Sequence, residues 1–158
     1  MGYAEKVLQP GETIAYRARL HWIIYLAGLF FLAIAVVAAI AGAALKLGDT
    51  YRIGLLLVGL IALVVALTHL IRAWIVAANT EIIVTTRRII YKTGFISRNT
   101  VEMNLDKVES VLVQQGILGR MLNYGEVIIR GVGAGLEPVA NVAAPLDLHR
   151  HVGAEAGA

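Results

Sequence analysis

The sequence predicts a membrane α+β protein: a two-helix transmembrane hairpin, a mainly antiparallel sheet of seven strands and a short C-terminal helix. Three observations predict it. Residues 22–45 and 53–71 carry no formally charged side chain, apolar periodicity changes from helical to alternating after residue 78, and turn residues cut the remainder into short β-type runs.

The hairpin occupies residues 22–78, with spans at 22–45 and 53–74 and a turn at 46–52. About 24 residues at ~1.5 Å each give about 36 Å, enough to cross a hydrocarbon core with tilt. Two helices of a soluble core are also apolar all round. A chain of 158 residues leaves too little outside the hairpin to wrap them.

Composition agrees with this division. Hydrophobic residues make up 58% and charged residues 16% of the chain, above and below the usual soluble values. Eight of the 14 Lys and Arg and eight of the 11 Asp and Glu follow Asn79, so the C-terminal part is nearly neutral and the net +3 belongs to the hairpin and its flanks. So small and spread an excess argues against a nucleic-acid partner. The absence of cysteine excludes disulfides, thiolate metal sites and a Cys nucleophile.

Residues 1–21 supply the first strand. Gln9-Pro10-Gly11-Glu12 reads as a turn into residues 13–20, where Ile14, Tyr16 and Ala18 share one face and Arg17 and Arg19 the other. The apolar run that follows is too long for a signal-peptide core, so the first span is expected to be retained. Basic residues flanking the spans number eight on the terminal side (Lys6, Arg17, Arg19, Arg72, Arg87, Arg88, Lys92, Arg98) and two in the turn (Lys46, Arg52). That asymmetry places both termini in the cytoplasm, with Trp22, Tyr25 and Trp74 at the near interface and Tyr51 at the far one.

Within the hairpin, Ala35, Ala39 and Ala43 recur every fourth residue and Gly59, Ala62 and Ala66 nearly so. Small residues at this spacing let helices approach closely, so the two stripes are expected to pack together, a partner protein being the alternative. His69 is the titratable group of the second span. Its place about one turn from Arg72 suits a neutral side chain near the interface better than a proton relay.

After the hairpin, residues 81–85, 89–92, 95–105, 108–113, 126–130 and 137–142 read as strands, which with 13–20 makes seven. Between two of them Ile117, Leu118, Met121 and Leu122 line one side of a single helical turn bounded by Gly116 and Gly125. Plugging an end of the sheet is the expected role, and contact with the bilayer or a partner the alternative. Residues 145–152 suit a short helix, and 153–158 a disordered tail.

Three ordered blocks then resemble a known family. Thr86-Arg87-Arg88-Ile89-Ile90-Tyr91-Lys92-Thr93-Gly94-Phe95-Ile96-Ser97-Arg98, Leu105-Asp106-Lys107-Val108-Glu109-Ser110-Val111 and Gly119-Arg120-Met121-Leu122-Asn123-Tyr124-Gly125 look like the bacterial pleckstrin-homology-like (PH-like) domain of small membrane proteins. The resemblance covers about residues 10–152. It implies a bent seven-stranded sheet or barrel closed by a C-terminal helix and held at the cytoplasmic face of the bacterial inner membrane. The main part of that domain is 79–152, with 1–21 as its first strand. A helix over 145–152 is short for the closing role, which leaves room for a partner chain there.

Signatures of catalysis are missing: no G-x-S-x-G, H-E-x-x-H or Walker lysine loop occurs. Gly131-Val132-Gly133-Ala134-Gly135 follows a strand, but Leu136 replaces the third glycine of a dinucleotide loop and a β-type run follows, so a hairpin turn is expected. His149 and His151 lie two apart on a helix and do not share a face, so no metal is expected. No cofactor or small-molecule substrate is implied. The expected function is a non-enzymatic, membrane-anchored interaction or scaffold module, an accessory of a membrane protein complex or a homo-oligomer. The alternative is binding of anionic lipid headgroups by Arg87, Arg88, Lys92 and Arg98, each contributing about 1 kcal/mol if near the surface. A channel role ranks last, because Thr68 and His69 are the polar groups within the spans.

Overall fold

The computed structural model describes residues 8–45, 48–95, 99–132, 134–135 and 138–156. The chain divides into two compact units, Trp22–Ile75 and Met1–His21 together with Val76–Ala158. The apolar hairpin is therefore an insertion into a domain whose first strand precedes it.

In the hairpin unit, a 3-10 turn at Trp22–Tyr25 leads into helix α1, Leu26–Ala44, and helix α2 runs over Asp49–Asn79. The second helix starts earlier than residue 53. Asp49 opens it, where a negative charge suits the positive end of the helix dipole, and the Tyr51 and Arg52 amides donate to the Gly48 carbonyl at 3.0 and 3.1 Å. Lys46 and Leu47, in the expected turn, lie outside the described residues. Both helices are long and apolar enough to cross a membrane, and 17% of the most apolar stretch of each is buried.

Small residues bring the two helices together. A Cβ on Gly59 would lie 3.2 Å from that of Ala38, one on Gly28 2.7 Å from the Leu70 side chain, and one on Gly42 3.2 Å from Leu56. These three contacts run in opposite directions along the chain, so the helices are antiparallel. Gly59, Ala62 and Ala66 are buried on α2. On α1 the buried face is Gly28, Ala35, Ala38 and Gly42, whereas Ala39 and Ala43 are exposed. The four-residue stripe expected there is corrected for a geometric reason: each step of four overshoots a helical turn by about 40°, while mixed steps of three and four stay on one face.

The other unit is built from two antiparallel sheets. Strands β1 (Ile14–Ala18), β2 (Glu81–Thr85), β3 (Arg88–Thr93) and β4 (Asn99–Asn104) form the first in that order. Strands β5 (Val108–Gln114), β6 (Tyr124–Gly131) and β7 (Ala134–Gly135) form the second, and β8 (Val139–Ala143) also pairs with β6. The two-residue β7 is the addition to the expected seven strands. It comes from the glycine-rich run, whose Ala134 pairs with Gly131.

The sheets join at one seam. Beyond β1, the His21 amide donates to the Asn141 carbonyl at 2.7 Å and the Ala143 amide to the Arg19 carbonyl at 2.9 Å, flanking a bridge between Leu20 and Val142. Away from the seam, β4 and β5 each pair on one side among the described residues, and a 3-10 turn at Leu105–Lys107 connects them.

Alternation sends Ile82, Val84, Ile89 and Met103 from the first sheet, and Val127, Ile129 and Val142 from the second, into one core. A bulge between Ile14 and Tyr16 corrects the expectation for β1. Tyr16 and Ala18 face this core, while Ile14 packs on the other face with Ile83 and Ile90, because one extra residue reverses the side-chain direction.

Helix α4, Pro145–Ala156, closes the core with Leu148 and Val152, 0% and 1% exposed. It runs past the expected end at Val152, since Ala154, Glu155 and Ala156 are good helix formers. The tail expected at 153–158 is thus helical to Ala156, with the last two residues outside the described set. His151 stacks on Tyr16 at 4.4 Å, fastening α4 to β1, and its Nδ1 donates within the helix to the Asp147 carbonyl at 2.8 Å. This chain's own helix fills the place that had been left for a partner. Leu148→Ala is expected to cost about 3 kcal/mol, read by urea unfolding of the purified chain; a loss below ~1 kcal/mol would mean that α4 does not seal the core.

Candidate functional site

Strand register decides whether the four basic residues after the hairpin act together. Arg88 pairs with Asn104 and Lys92 with Glu81 and Thr100, so they occupy opposite ends of β3, about 13 Å apart at ~3.3 Å per residue. Strand β2 leads away from the end of α2. Lys92 therefore stays at the near end of the sheet, and Arg87 and Arg88 are carried to the far end. Arg98 lies outside the described residues. The expected gathering of Arg87, Arg88 and Lys92 is corrected, because the strand between them separates their charges.

Arg88 has a different task at that far end. Glu12 is 6% exposed and receives Arg88 Nε on Oε1 at 3.0 Å and Arg88 NH2 on Oε2 at 2.9 Å. Glu102 receives Arg88 NH1 at 2.7 Å. The Gln9 amide donates to Glu12 Oε2 at 2.8 Å, and the Thr85 hydroxyl lies 2.7 Å from Oε1 and accepts the Arg88 amide at 3.0 Å. Local sequence builds the arrangement: Pro10 and Gly11 (φ +80°) form the centre of a type II turn closed by the Glu12 amide on the Gln9 carbonyl at 2.9 Å. Burial alone pushes the Glu12 carboxyl up. The Gln9 amide, the Arg88 guanidinium and the Thr85 hydroxyl outweigh burial and hold its pKa below the ordinary 4.5.

Beside this ion pair lies an open depression of about 500 Å³ lined by Thr86, Arg87, Asn104, Asp106 and Glu155 among others. Arg87 is exposed there. Asp106 and Glu155 offset its charge, so the depression lacks the single sign that would select an anion.

The opposite end of the domain carries apolar side chains. Helix α3, Ile117–Leu122, connects β5 to β6 and stops at Asn123 in the left-handed conformation (φ 57°). Its buried residue is Gly119, where a Cβ would sit 2.6 Å from the Tyr124 carbonyl oxygen. The Gln115 amide donates to the Gly119 and Tyr124 carbonyls at 3.3 and 3.0 Å. With its backbone pinned this way, the helix turns Ile117, Leu118, Met121 and Leu122 outward at 82%, 63%, 76% and 39% exposure. They do not plug the sheet, which corrects that expectation: α4 already occupies the core opening.

Polar groups in the hairpin have local partners. The Thr68 hydroxyl donates to the Val64 carbonyl at 2.8 Å, and His69 stacks on Phe31 at 5.8 Å. Among the described residues no group of three His, Asp or Glu side chains is placed to hold a metal. A shallow apolar groove of about 320 Å³ runs between α1 and α2, lined by Ala35, Ala39, Leu56, Gly59, Leu60 and Leu63 among others.

Two antiparallel sheets around one core, closed by a C-terminal helix, define the PH-like class of domain. Residues 20–156 match the bacterial PH domain family, and the chain belongs to it. No curated protein matches the chain.

Reading from sequence missed the Glu12–Arg88 pair, whose partners are 76 residues apart. The available signal was an acid directly after a Pro-Gly turn and two arginines in the next hairpin, which is too common to assign. Glu12→Gln is expected to cost about 2–3 kcal/mol by leaving Arg88 with one carboxylate. Because the folded pKa is depressed, the Glu12 contribution is full above pH 4.5 and fades as pH falls through the lowered value. Denaturation curves should therefore show a smaller acid loss in Glu12→Gln than in the parent; equal losses would contradict this role.

Proposed function

We propose that this protein is a non-enzymatic, membrane-anchored PH-like module that serves as an accessory or assembly component of a membrane protein complex or homo-oligomer. One observation carries the reading: the most apolar stretches of α1 and α2 are 17% buried. Such helices leave Val37, Ile40, Ile61 and Val64 each at least 56% exposed, and lipid is the solvent that suits this surface. Anchoring by the hairpin puts both termini and the domain on the cytoplasmic side of a bacterial inner membrane.

The interaction role follows from what the domain offers. Its interior is filled by side chains and by α4, so recognition is a matter for its surfaces. Strands β4 and β5 present unpaired backbone edges among the described residues, which suit strand addition by a partner, and the groove between α1 and α2 suits a partner's transmembrane helix. The headgroup reading is weaker, since Arg88 is bound to Glu12 and Arg87 lies at the opposite end of the sheet from Lys92.

The test uses the native absence of cysteine. Gly48→Cys in the hairpin turn is expected to react with a membrane-impermeant maleimide on intact cells, and Glu109→Cys in the domain only after lysis. In mild detergent the 17.0 kDa chain should run with a stoichiometric second subunit or as multiple copies. Release of the protein by an alkaline carbonate wash would overturn the anchoring, and a monomer at native concentration would overturn the assembly role.

A further inference from the structure

Five of the eight large apolar side chains exposed among the domain's described residues lie toward one end, while Val132 sits beside Lys107 at the other. Outside the hairpin, the large hydrophobic residues exposed among the described set are Phe95, the four on α3, and Leu112, Val132 and Leu146. Phe95 and α3 share an end of the domain, as the strand register shows. Lys92 pairs with Glu81, so Gly94 and Phe95, which follow β3, lie beside the start of β2, one residue past Thr80. Tyr124, next to the cap of α3, stacks on His21 at 5.2 Å. The Ala144 amide donates to the Asn123 carbonyl at 2.9 Å, fixing the end of α3 to the strand seam.

His21 and Thr80 are the positions where the chain passes into α1 and out of α2. Both apolar tips are thus held at the end of the domain from which the two helices depart. Phe95 is 63% exposed, and exposed Arg19 and Arg120 lie on the same end, while the nearby acids Glu81 and Glu126 are half-buried. Apolar and aromatic tips mixed with exposed arginines are the composition that enters the headgroup and acyl boundary of an anionic bilayer.

We infer that Phe95 and helix α3 are a two-point bilayer contact, through which the domain dips apolar side chains into the interfacial region of the membrane that its own hairpin crosses. The occupant is lipid. Continuity with the departure points of the helices, together with exposed arginine and recessed acid, favours an anionic surface over a protein groove. The inference rests on the hairpin being a membrane anchor, and its function is to fix the orientation of the domain so that strands β4 and β5 are presented to a partner in one attitude. The contact is separate from the Arg87–Arg88 end of the sheet.

The experiment places an environment-sensitive fluorophore on single cysteines in the full chain, reconstituted in phosphatidylglycerol–phosphatidylcholine vesicles with brominated acyl chains. Met121→Cys and Phe95→Cys report the tips, Glu109→Cys the side of the domain and Val58→Cys the hairpin. The expected result is blue-shifted emission and quenching at Met121, Phe95 and Val58, with Glu109 bright. Quenching at Val58 with both tips as bright as Glu109 would overturn the contact and leave the anchor standing. Quenching at only one tip would overturn the two-point form. A bright Val58 would remove the anchor, and with it the contact as stated, whether the tips are quenched or bright.

Discussion

Three residues, Arg19, Leu20 and His21, hold the domain together across an interruption. They pair with Asn141–Ala143 at the seam, while β1 just before them pairs with β2, on the far side of the whole hairpin. Joining β1 to the rest therefore closes a loop of about 60 residues, a cost that grows only slowly with length but must still be met. The hairpin reduces it. The contacts Gly28–Leu70, Ala38–Gly59 and Gly42–Leu56 set an antiparallel register in which the residues flanking the hairpin return to neighbouring positions, so the insertion delivers β2 close to where β1 left off. Small residues in the helices and the strand seam in the domain thus solve one problem, and both depend on the two ends of the hairpin emerging on the same side.

The seam also divides the domain's chemistry. At the end where β1 runs out and β2 begins lie His21, Tyr124, helix α3 and Phe95, with apolar tips and exposed arginines. At the other end lie the Pro-Gly turn, the Glu12–Arg88–Glu102 pairing and a depression of mixed charge. A carboxylate as buried as Glu12 needs its guanidinium partner, so Arg88 is withdrawn from surface recognition by the demands of the fold. Helix α4 spans from the seam to the charged end, which lets Leu148 and Val152 occupy the space between the sheets and leaves α3 free to face outward.

Much of this was legible in the sequence. Charge-free runs located the helices, alternation located seven strands, and three residue blocks pointed to the family. The failures have physical causes. Alternation does not reveal a bulge, so by itself it points Ile14 to the wrong face. A four-residue spacing only approximates one helical face, so Ala39 and Ala43 were assigned to a contact that Ala38 and Gly42 make. Whether Ile117, Leu118, Met121 and Leu122 face inward depends on what else fills the core, and the extent of α4 was underestimated because its last turn is made of small residues that resemble a tail. Arg87, Arg88 and Lys92 are close in sequence but not in space, because a strand extends what a helix would gather.

The central claim is that residues before and after the hairpin form one sheet seam. Leu20 and Val142 sit between the two flanking hydrogen bonds, the position where antiparallel partners approach most closely, with Cα atoms about 4.5 Å apart and within disulfide reach. The cysteine-free chain makes the test clean: Leu20→Cys combined with Val142→Cys, oxidised in the folded full chain. Near-complete intramolecular cross-linking, against none for Leu20→Cys combined with Glu109→Cys, is the predicted result. Two free thiols at Leu20 and Val142 in the folded protein would contradict the account, since the first strand would then stand apart from the domain that follows the hairpin.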